Sequence, residues 1–126
     1  MILKGSIIEC YDNSGCDRLK VIQLYSKHIS HAGELIRGVL HKFDPAKNKL
    51  QRKKHYTVAC IGVKQNTFRH CDYMVRFYDN KILMLSDNRK KLLGTRIYGP
   101  IQRELRILNV EQHVIHKIIL LSRFIV

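Results

Sequence analysis

Residues 56–63, with the sequence YTVACIGV, form the stretch that decides the fold. The stretch is apolar on both of the faces that alternate along an extended chain. Its β-branched residues favour a strand, and a strand that is apolar on both faces is usually covered on both sides. The sequence therefore predicts a strand here that is buried on both faces.

Outward from this strand, short apolar segments alternate with turn-forming residues. Further strands are predicted at residues 7–11, 19–25, 33–43, 73–78 and 81–86. Because side chains alternate along a strand, one face of the second segment is predicted to carry Leu19, Val21, Gln23 and Tyr25.

Two groups of turn residues connect these segments. Residues 12–15, Asp-Asn-Ser-Gly, tolerate turn and left-handed conformations. Asp79 and Asn80 separate two apolar segments and predict a hairpin between residues 73–78 and 81–86. Five or six short strands at this spacing predict a mainly β fold, a small barrel.

The hydrophobic period changes near the end of the chain. Pro100 is predicted to open a helix as its first residue, and apolar residues then recur at helical spacing at Ile101, Leu105 and Leu108. A second helical segment carries an apolar stripe of Val110, Val114, Ile115, Ile118, Ile119 and Leu121. This stripe is broad enough either to pack on the barrel or to dock another protein, and we favour packing on the barrel.

Length and composition indicate one domain. The chain has 126 residues, of which 45% are hydrophobic, and this is enough for a single core. We predict one domain over residues 1–126, with the barrel at about 1–99 and the helical segment at about 100–126. No run of about 20 apolar residues is present, so no spanning helix is predicted. The apolar run at the start of the sequence is too short for a secretory signal, so none is predicted.

Charge is the strongest functional signal in the sequence. Lys and Arg number 23 against 10 Asp and Glu, which gives a formal net charge of +13 at pH 7. A domain that needs only solubility carries a net charge of about 2–8, so a solvated charged surface does not account for this excess. A polyanionic partner does, and we predict nucleic acid ahead of an anionic membrane.

The cations form several clusters. Residues 47–55 are the densest, and they lie between two predicted strands, as an extended loop or the tip of a hairpin. Exposed Lys and Arg side chains in such a segment can lie along phosphates and release condensed counterions. The candidate RNA-binding residues are Arg18, Lys47, Lys49, Arg52, Lys53, Lys54, Arg69, Arg89, Lys90, Lys91, Arg96, Arg103 and Arg106.

The sequence contains no pattern typical of an enzyme or a metal site. The acidic residues are scattered singly, and G-x-S-x-G, P-loop and H-E-x-x-H motifs are absent. The four cysteines lack a C-x-x-C spacing and are expected to be reduced thiols. The pairs His28/His31 and His113/His116 lack the companion ligands of a zinc site. We predict no catalytic residue, metal or cofactor; the enzyme alternative is a small nuclease that uses His70 or His113.

Two segments of the chain resemble a known family. Residues 75–85 (VRFYDNKILML) and 94–106 (GTRIYGPIQRELR) closely resemble the universal large-subunit ribosomal protein L-fourteen family, and residues 12–15 match its N-terminal signature. The resemblance covers nearly the whole chain. It implies a closed five-stranded β-barrel with a projecting hairpin and short C-terminal helices.

The resemblance also implies a function. It implies a structural, non-enzymatic protein that binds large-subunit rRNA near the subunit interface and contributes to bridges with small-subunit rRNA. The implied protein partners are the ribosomal proteins L-three and L-nineteen and a ribosome-silencing factor, with no membrane partner. The alternative is a free-standing RNA-binding β-barrel that acts as an RNA chaperone outside the ribosome.

Individual positions carry over from the resemblance. Arg96, Arg103 and Arg106 occupy arginine positions of the family, which implies contact with RNA or with the subunit interface. The alternative for Arg96 is an internal ion pair with Glu104. Residues 16–18, Cys-Asp-Arg, stand where the family usually has Ala-Arg-Arg, so only Arg18 retains that contact.

Two loops depart from the family pattern. Residues 46–54 contain neither Pro nor Gly, and residues 70–73 replace a Pro-Asp-Gly turn. This drift, together with a composition rich in Ile, Lys, Tyr and Asn, points to an organellar member of the family. We expect a mitochondrial ribosome, and a plastid ribosome or the bacterial cytoplasm remain open.

Overall fold

The computed structural model of the chain describes residues 1–26, 28–47 and 50–126. The strands within these residues are β1 Ile7–Cys10, β2 Cys16–Leu24, β3 Leu35–Phe43, β4 His55–Gly62, β5 Thr67–Phe68, β6 Met74–Val75 and β7 Lys81–Met84. A 3₁₀ helix, Arg103–Ile107, and an α-helix, α1 Gln112–Leu121, follow them. Neither helix is long and apolar enough to cross a membrane.

Five of the strands close into a barrel in the order β1-β2-β3-β4-β7. Neighbouring strands are antiparallel except where β1 closes the barrel against β7 in parallel. The predicted closed five-stranded barrel is therefore confirmed. Strands β5 and β6 form a separate two-stranded sheet.

Strand β4 explains why its sequence is apolar throughout. Val58 and Cys60 belong to the cluster that fills the barrel, whereas Ala59 and Ile61 belong to a second cluster beneath the C-terminal segment. All four side chains are fully buried. Because successive side chains of a strand point to opposite faces, one strand serves two cores, and the prediction of burial on both faces is confirmed.

The C-terminal stripe packs on the barrel. Val114, Ile115 and Ile118 of α1 are buried in the second cluster, together with Ile61 of β4 and Leu83 of β7. Of the two alternatives for this stripe, packing on the barrel is therefore the correct one.

The prediction that Pro100 opens a helix is wrong. Ile101 forms a parallel bridge with Ile125, and its N–H donates to the carbonyl of Phe124 at 3.0 Å. The carbonyl of Ile101 accepts from the N–H of Val126 at 2.9 Å. These bonds to the end of the chain hold Ile101 extended, so only the short 3₁₀ helix and α1 remain of the predicted helical segment.

The predicted hairpin around Asp79 and Asn80 is also wrong. β6 pairs with β5, and β7 pairs with β4 and β1, so the two predicted arms belong to different sheets. Asn80 does not close a hairpin; its Oδ1 accepts from the N–H of Lys64 at 2.9 Å. This turn therefore carries the chain from the small sheet back to the barrel.

One predicted face of β2 is interrupted by a change of register. Leu19 and Val21 are buried as expected, but the register with β3 shifts between Val21 and Gln23. An extra residue in one strand moves the following side chains to the other face. Leu24 is therefore buried, and Gln23 and Tyr25 are exposed.

Candidate nucleic-acid interface

Two cation-rich segments lie side by side at one end of the barrel. One consists of residues 44–47 and 50–54 in the connection between β3 and β4, and the other is the loop 86–96 after β7. At one end of their contact, Lys54 Nζ lies 2.6 Å from Asp87 Oδ2. At the other end, Lys47 and Thr95 line the same depression of about 220 Å³. The segments therefore run antiparallel and present one surface.

We call this surface the basic face. Its described cations are Lys47, Arg52, Lys53, Lys54, Arg89, Lys90, Lys91 and Arg96. Lys49 was also predicted to bind RNA, but it lies outside the described residues.

The turn 12–15 positions the second segment. Asn13 Oδ1 accepts from the N–H groups of Thr95 at 2.7 Å and Arg96 at 3.0 Å. Asn13 Nδ2 donates to Thr95 Oγ1 at 2.7 Å. One side chain thereby fixes both the backbone that carries Arg96 and the residue before it.

Gly15 lets the first segment approach the same turn. Its φ is +99°, and a Cβ at this position would lie 2.6 Å from Cβ of Lys47. Only glycine combines this backbone conformation with so close a neighbour. The turn residues Asn13 and Gly15 therefore hold both segments of the basic face in place.

Asp12 anchors the turn to the barrel. Its Oδ2 accepts from the N–H of Met84 in β7 at 2.8 Å, and its Oδ1 accepts from the N–H and the hydroxyl of Ser14. Burial raises the pKa of the Asp12 carboxyl, and the hydrogen bonds from Ser14 and Met84 oppose that rise. A buried carboxylate with these partners restricts the turn to one conformation.

Most cations of the basic face have no acidic partner. Among the described residues, no carboxylate lies within ion-pair distance of Lys47, Arg52, Lys53, Lys91 or Arg96. All five residues are exposed. Their positive charge is therefore available to an external anion.

The other three cations of the basic face are partly engaged. The hydrogen bond to Asp87 raises the pKa of Lys54, and Lys90 Nζ lies 3.9 Å from Glu111 Oε1. Arg89 stacks on Tyr25, with its guanidinium 4.8 Å from the ring centroid and Nη2 donating to the hydroxyl at 3.0 Å. Tyr25 was not singled out as a site residue, because nothing local connects it to Arg89.

A family model described as Ribosomal protein L14p/L23e matches residues 1–125. The chain belongs to this family. It is a structural protein of the large ribosomal subunit, located in the ribosome, with rRNA and other ribosomal proteins as partners. The predicted family resemblance is confirmed.

In this L-fourteen family protein, Arg69 has an internal partner that the sequence did not suggest. Its Nε and Nη2 donate to the two carboxylate oxygens of Glu104 at 2.8 and 2.9 Å. Nη2 also donates to the main-chain oxygen of Val126 at 2.5 Å. The Arg69 guanidinium is therefore bound within the protein, and its contact with RNA stays a prediction.

The Arg69–Glu104 ion pair also bears on the alternative prediction for Arg96, an internal ion pair with Glu104. Both oxygens of Glu104 are bound by Arg69, and Arg96 forms no ion pair with any described residue. The alternative prediction of an internal Arg96–Glu104 ion pair is therefore wrong.

The remaining predicted cations lie outside the basic face. Arg103 and Arg106 are exposed on the 3₁₀ helix, whose three residues per turn put them on one side. Arg18 lies on β2 with Nη2 3.3 Å from Glu9 Oε1, and about half of its side chain is exposed.

The outer side of β2 and β3 of the L-fourteen protein carries two further cations that were not predicted. Lys20 and Arg37 are exposed and have no carboxylate partner among the described residues. The signal was present in the sequence, since Lys20 alternates with the buried Leu19 and Val21. Among the described residues, no three His, Cys, Asp or Glu side chains converge as metal ligands do.

Proposed function

We propose that the basic face binds large-subunit rRNA through its phosphate backbone, close to the subunit interface. The observation that supports this proposal is the set of five exposed cations without acidic partners among the described residues: Lys47, Arg52, Lys53, Lys91 and Arg96. Each cation that neutralises a phosphate releases counterions, which is the main source of affinity for RNA backbones.

The backbone of the basic face is held in place before any RNA binds. The two segments are held by the Lys54–Asp87 ion pair and by the hydrogen bonds of Asn13. A surface whose backbone is already ordered loses less conformational entropy when it binds. Phosphate contacts of this kind fix orientation on folded RNA and do not select a base sequence.

Arg103 and Arg106 are proposed as contacts at the intersubunit bridges with small-subunit rRNA. Both are exposed on one side of the 3₁₀ helix, and arginine binds phosphate with two parallel hydrogen bonds. Arg18, with its exposed guanidinium beside Glu9, is proposed as a further contact with large-subunit rRNA.

Protein partners are proposed at a groove next to Arg96. The groove has a volume of about 560 Å³ and is lined by Thr95, Arg96, Ile97, Tyr98, Gly99, Pro100, Leu121, Arg123 and Phe124. Tyr98 and Phe124 are exposed aromatic residues, a type enriched in protein interfaces. We propose that the ribosomal proteins L-three and L-nineteen contact the protein here or beside it, and that a ribosome-silencing factor uses this surface before the subunits join.

A mitochondrial ribosome is the proposed location. Support comes from the composition rich in Ile, Lys, Tyr and Asn and from the departures at residues 16–18, 46–54 and 70–73. These positions lie in or next to connections between strands, where substitution is tolerated most easily.

Sedimentation of a cell extract distinguishes a ribosomal role from a free RNA chaperone. A constituent of the large subunit migrates with that subunit and stays with it at moderate salt, because many phosphate contacts hold it together. A free chaperone remains at the top of the gradient. Recovery of the protein only in the top fractions would contradict the proposed function.

A further inference from the structure

Two cysteines flank the turn that positions the basic face. Cys10 is the last residue of β1, and Cys16 is the first residue of β2. Their Sγ atoms lie 2.9 Å apart, with Cys10 donating to Cys16. The barrel pairing of Glu9, which precedes Cys10, with Arg18, which follows Cys16 by two residues, holds the two strands together beside these cysteines. We propose that Cys10 and Cys16 form a reversible disulfide by exchange with a small-molecule disulfide such as oxidised glutathione.

The other two cysteines lack the features of this pair. Cys60 is fully buried in β4, where burial raises the pKa of its thiol to about 12. Cys71 is exposed but has no second thiol beside it. Disulfide formation within the chain is therefore expected between Cys10 and Cys16, and not at the buried Cys60 or the exposed Cys71.

The difference in exposure between the paired thiols sets the order of the steps. Cys10 is half-buried and Cys16 is 3% exposed, so Cys10 meets the reagent first. The Cys10 thiolate attacks one sulfur of oxidised glutathione, forming a mixed disulfide and releasing one glutathione thiolate. The Cys16 thiolate then attacks the Cys10 sulfur, which forms the Cys10–Cys16 bond and releases the second glutathione. The two protons lost by the cysteines are taken up by the two glutathione molecules.

The protein environment slows this exchange. The hydrogen bond to Cys16 and burial both raise the pKa of the Cys10 thiol, which favours its protonated form. Because the thiolate is the reacting species, exchange at Cys10 is expected to be slower than at a fully exposed thiol.

The disulfide would close a ring that contains the turn 12–15. Within that ring, Asn13 binds the backbone of Thr95 and Arg96, and Asp12 binds the backbone of Met84. A covalent bond across the base of the turn restricts the motions that would break these hydrogen bonds. The disulfide and its effect on the loop that carries Arg96 do not depend on the proposed RNA function; only a consequence for RNA binding rests on it.

A peptide mass measurement tests the proposal. The folded protein with Cys71→Ser, which removes the exposed competing thiol, is treated with oxidised glutathione; the remaining thiols are then alkylated under denaturing conditions. Trypsin cleaves after Lys4 and Arg18, so residues 5–18 carry both cysteines on one peptide. We expect this peptide without alkyl groups and lighter than the reduced peptide by two hydrogen atoms, with reversal by dithiothreitol.

The natural chain and the variant Cys16→Ser provide the controls. The natural chain should give the same peptide, which shows that Cys71→Ser did not create the effect. The variant Cys16→Ser should leave a glutathione adduct on Cys10, because the resolving thiol is absent. A peptide 5–18 that is alkylated at both cysteines, or that carries glutathione on both, would overturn the proposal.

Amide exchange measures the consequence for the basic face independently of RNA binding. In the oxidised protein we expect slower hydrogen exchange at the Thr95 and Arg96 amides, both of which donate to Asn13. Amides of α1 serve as the internal reference, since they lie far from the turn in the chain. Unchanged exchange at Thr95 and Arg96 would overturn the coupling between the disulfide and this loop.

Discussion

Two regions of the molecule use the same residue type in opposite ways. On the basic face, Arg52 and Arg96 are exposed and have no acidic partner among the described residues. In the region that we call the C-terminal cluster, formed by Gly33, Arg69, Glu104 and Val126, an arginine is bound within the protein by a carboxylate and by a main-chain oxygen. The partly buried Arg69 guanidinium is therefore held within the protein, whereas the guanidinium groups of Arg52 and Arg96 are available to an external anion.

The pKa of a carboxyl group is shifted in opposite directions in the two regions. The hydrogen bonds from Arg69 are the main cause that lowers the pKa of Glu104. Near the basic face, burial raises the pKa of Asp12, which has main-chain and hydroxyl partners and forms no ion pair with any cation that the structure describes. The cation of the C-terminal cluster stabilises a negative charge inside the protein, whereas the cations of the basic face remain exposed for an external one.

The largest loss of stability is expected when a side chain is introduced at Gly33, where the backbone lies close to that of Glu104. Gly33 has a φ of +84°, and a Cβ there would lie 2.1 Å from the carbonyl oxygen of Glu104. We expect Gly33→Ala to lower the free energy of unfolding by about 2–5 kcal/mol, measured by urea denaturation.

Gly5 offers a matched control for this substitution. It also has a φ of +84°, but nothing lies within 4 Å of a Cβ built on it. Gly5→Ala should therefore cost only the conformational strain, about 1 kcal/mol. Equal losses in the two variants would show that close packing against Glu104 is not what requires glycine at position 33.

The next largest loss of stability is expected at Arg69, and a comparison with Arg52 separates the roles of the two arginines. Arg69→Ala should lower the free energy of unfolding by about 1–3 kcal/mol, because it leaves the partly buried Glu104 without its charged donors. Arg52→Ala should change stability by less than about 0.5 kcal/mol, because Arg52 is exposed and unpaired. Urea denaturation of both variants checks the comparison, and an equal loss from both would contradict it.

The smallest stability effect is a change in pH dependence. The lowered pKa of Glu104 means that the folded protein holds this proton less tightly than the unfolded chain. The ion pair therefore contributes stability above the ordinary glutamate pKa of 4.5, and this contribution is lost as the pH falls through the lowered value. We expect Glu104→Gln to be less stable than the natural chain at pH 7 and to approach it in acid.

Denaturation curves over a range of pH check this expectation. Asp12 has the opposite sign, since its raised pKa lets the folded state bind a proton more readily and lowers stability as the pH rises through that value. A gap between Glu104→Gln and the natural chain that stays constant into acid would show that the charge on Glu104 does not contribute.

The sequence predicts best where one residue pattern determines the outcome. The strand at 56–63 is apolar on both faces, and this pattern fits a strand that is covered on both sides, as β4 is by the barrel interior and by the C-terminal segment. The stripe of Val114 and Ile118 at helical spacing likewise predicts a buried helix face, and both side chains are buried in the second cluster.

Predictions failed where distant residues compete for the same backbone or side chain. Pro100 and Ile101 have a helical pattern locally, but hydrogen bonds of Ile101 with Phe124 and Val126 hold Ile101 extended. Arg69 belongs to no local pattern that names Glu104, which lies 35 positions away. The basic clusters were visible in the sequence, whereas their antiparallel arrangement and the role of Asn13 depend on tertiary contacts.

The salt dependence of rRNA binding tests the central claim most directly. The variant Arg52→Ala/Lys53→Ala removes two cations from the basic face. The matched variant Lys64→Ala/Arg76→Ala also removes one arginine and one lysine, both exposed, and Lys64 lies beyond the other end of β4. Each variant lowers the formal net charge from +13 to +11, since two positive charges are removed in each case.

Affinity for the large-subunit rRNA segment that the protein protects is measured at several salt concentrations for the natural chain and both variants. We expect the slope of log K against log salt to decrease in magnitude by about 1.8 for Arg52→Ala/Lys53→Ala, at about 0.9 for each lost duplex phosphate contact. The slope for Lys64→Ala/Arg76→Ala should match that of the natural chain. Equal changes in the two variants would contradict the account, because net charge, and not the basic face, would then determine binding.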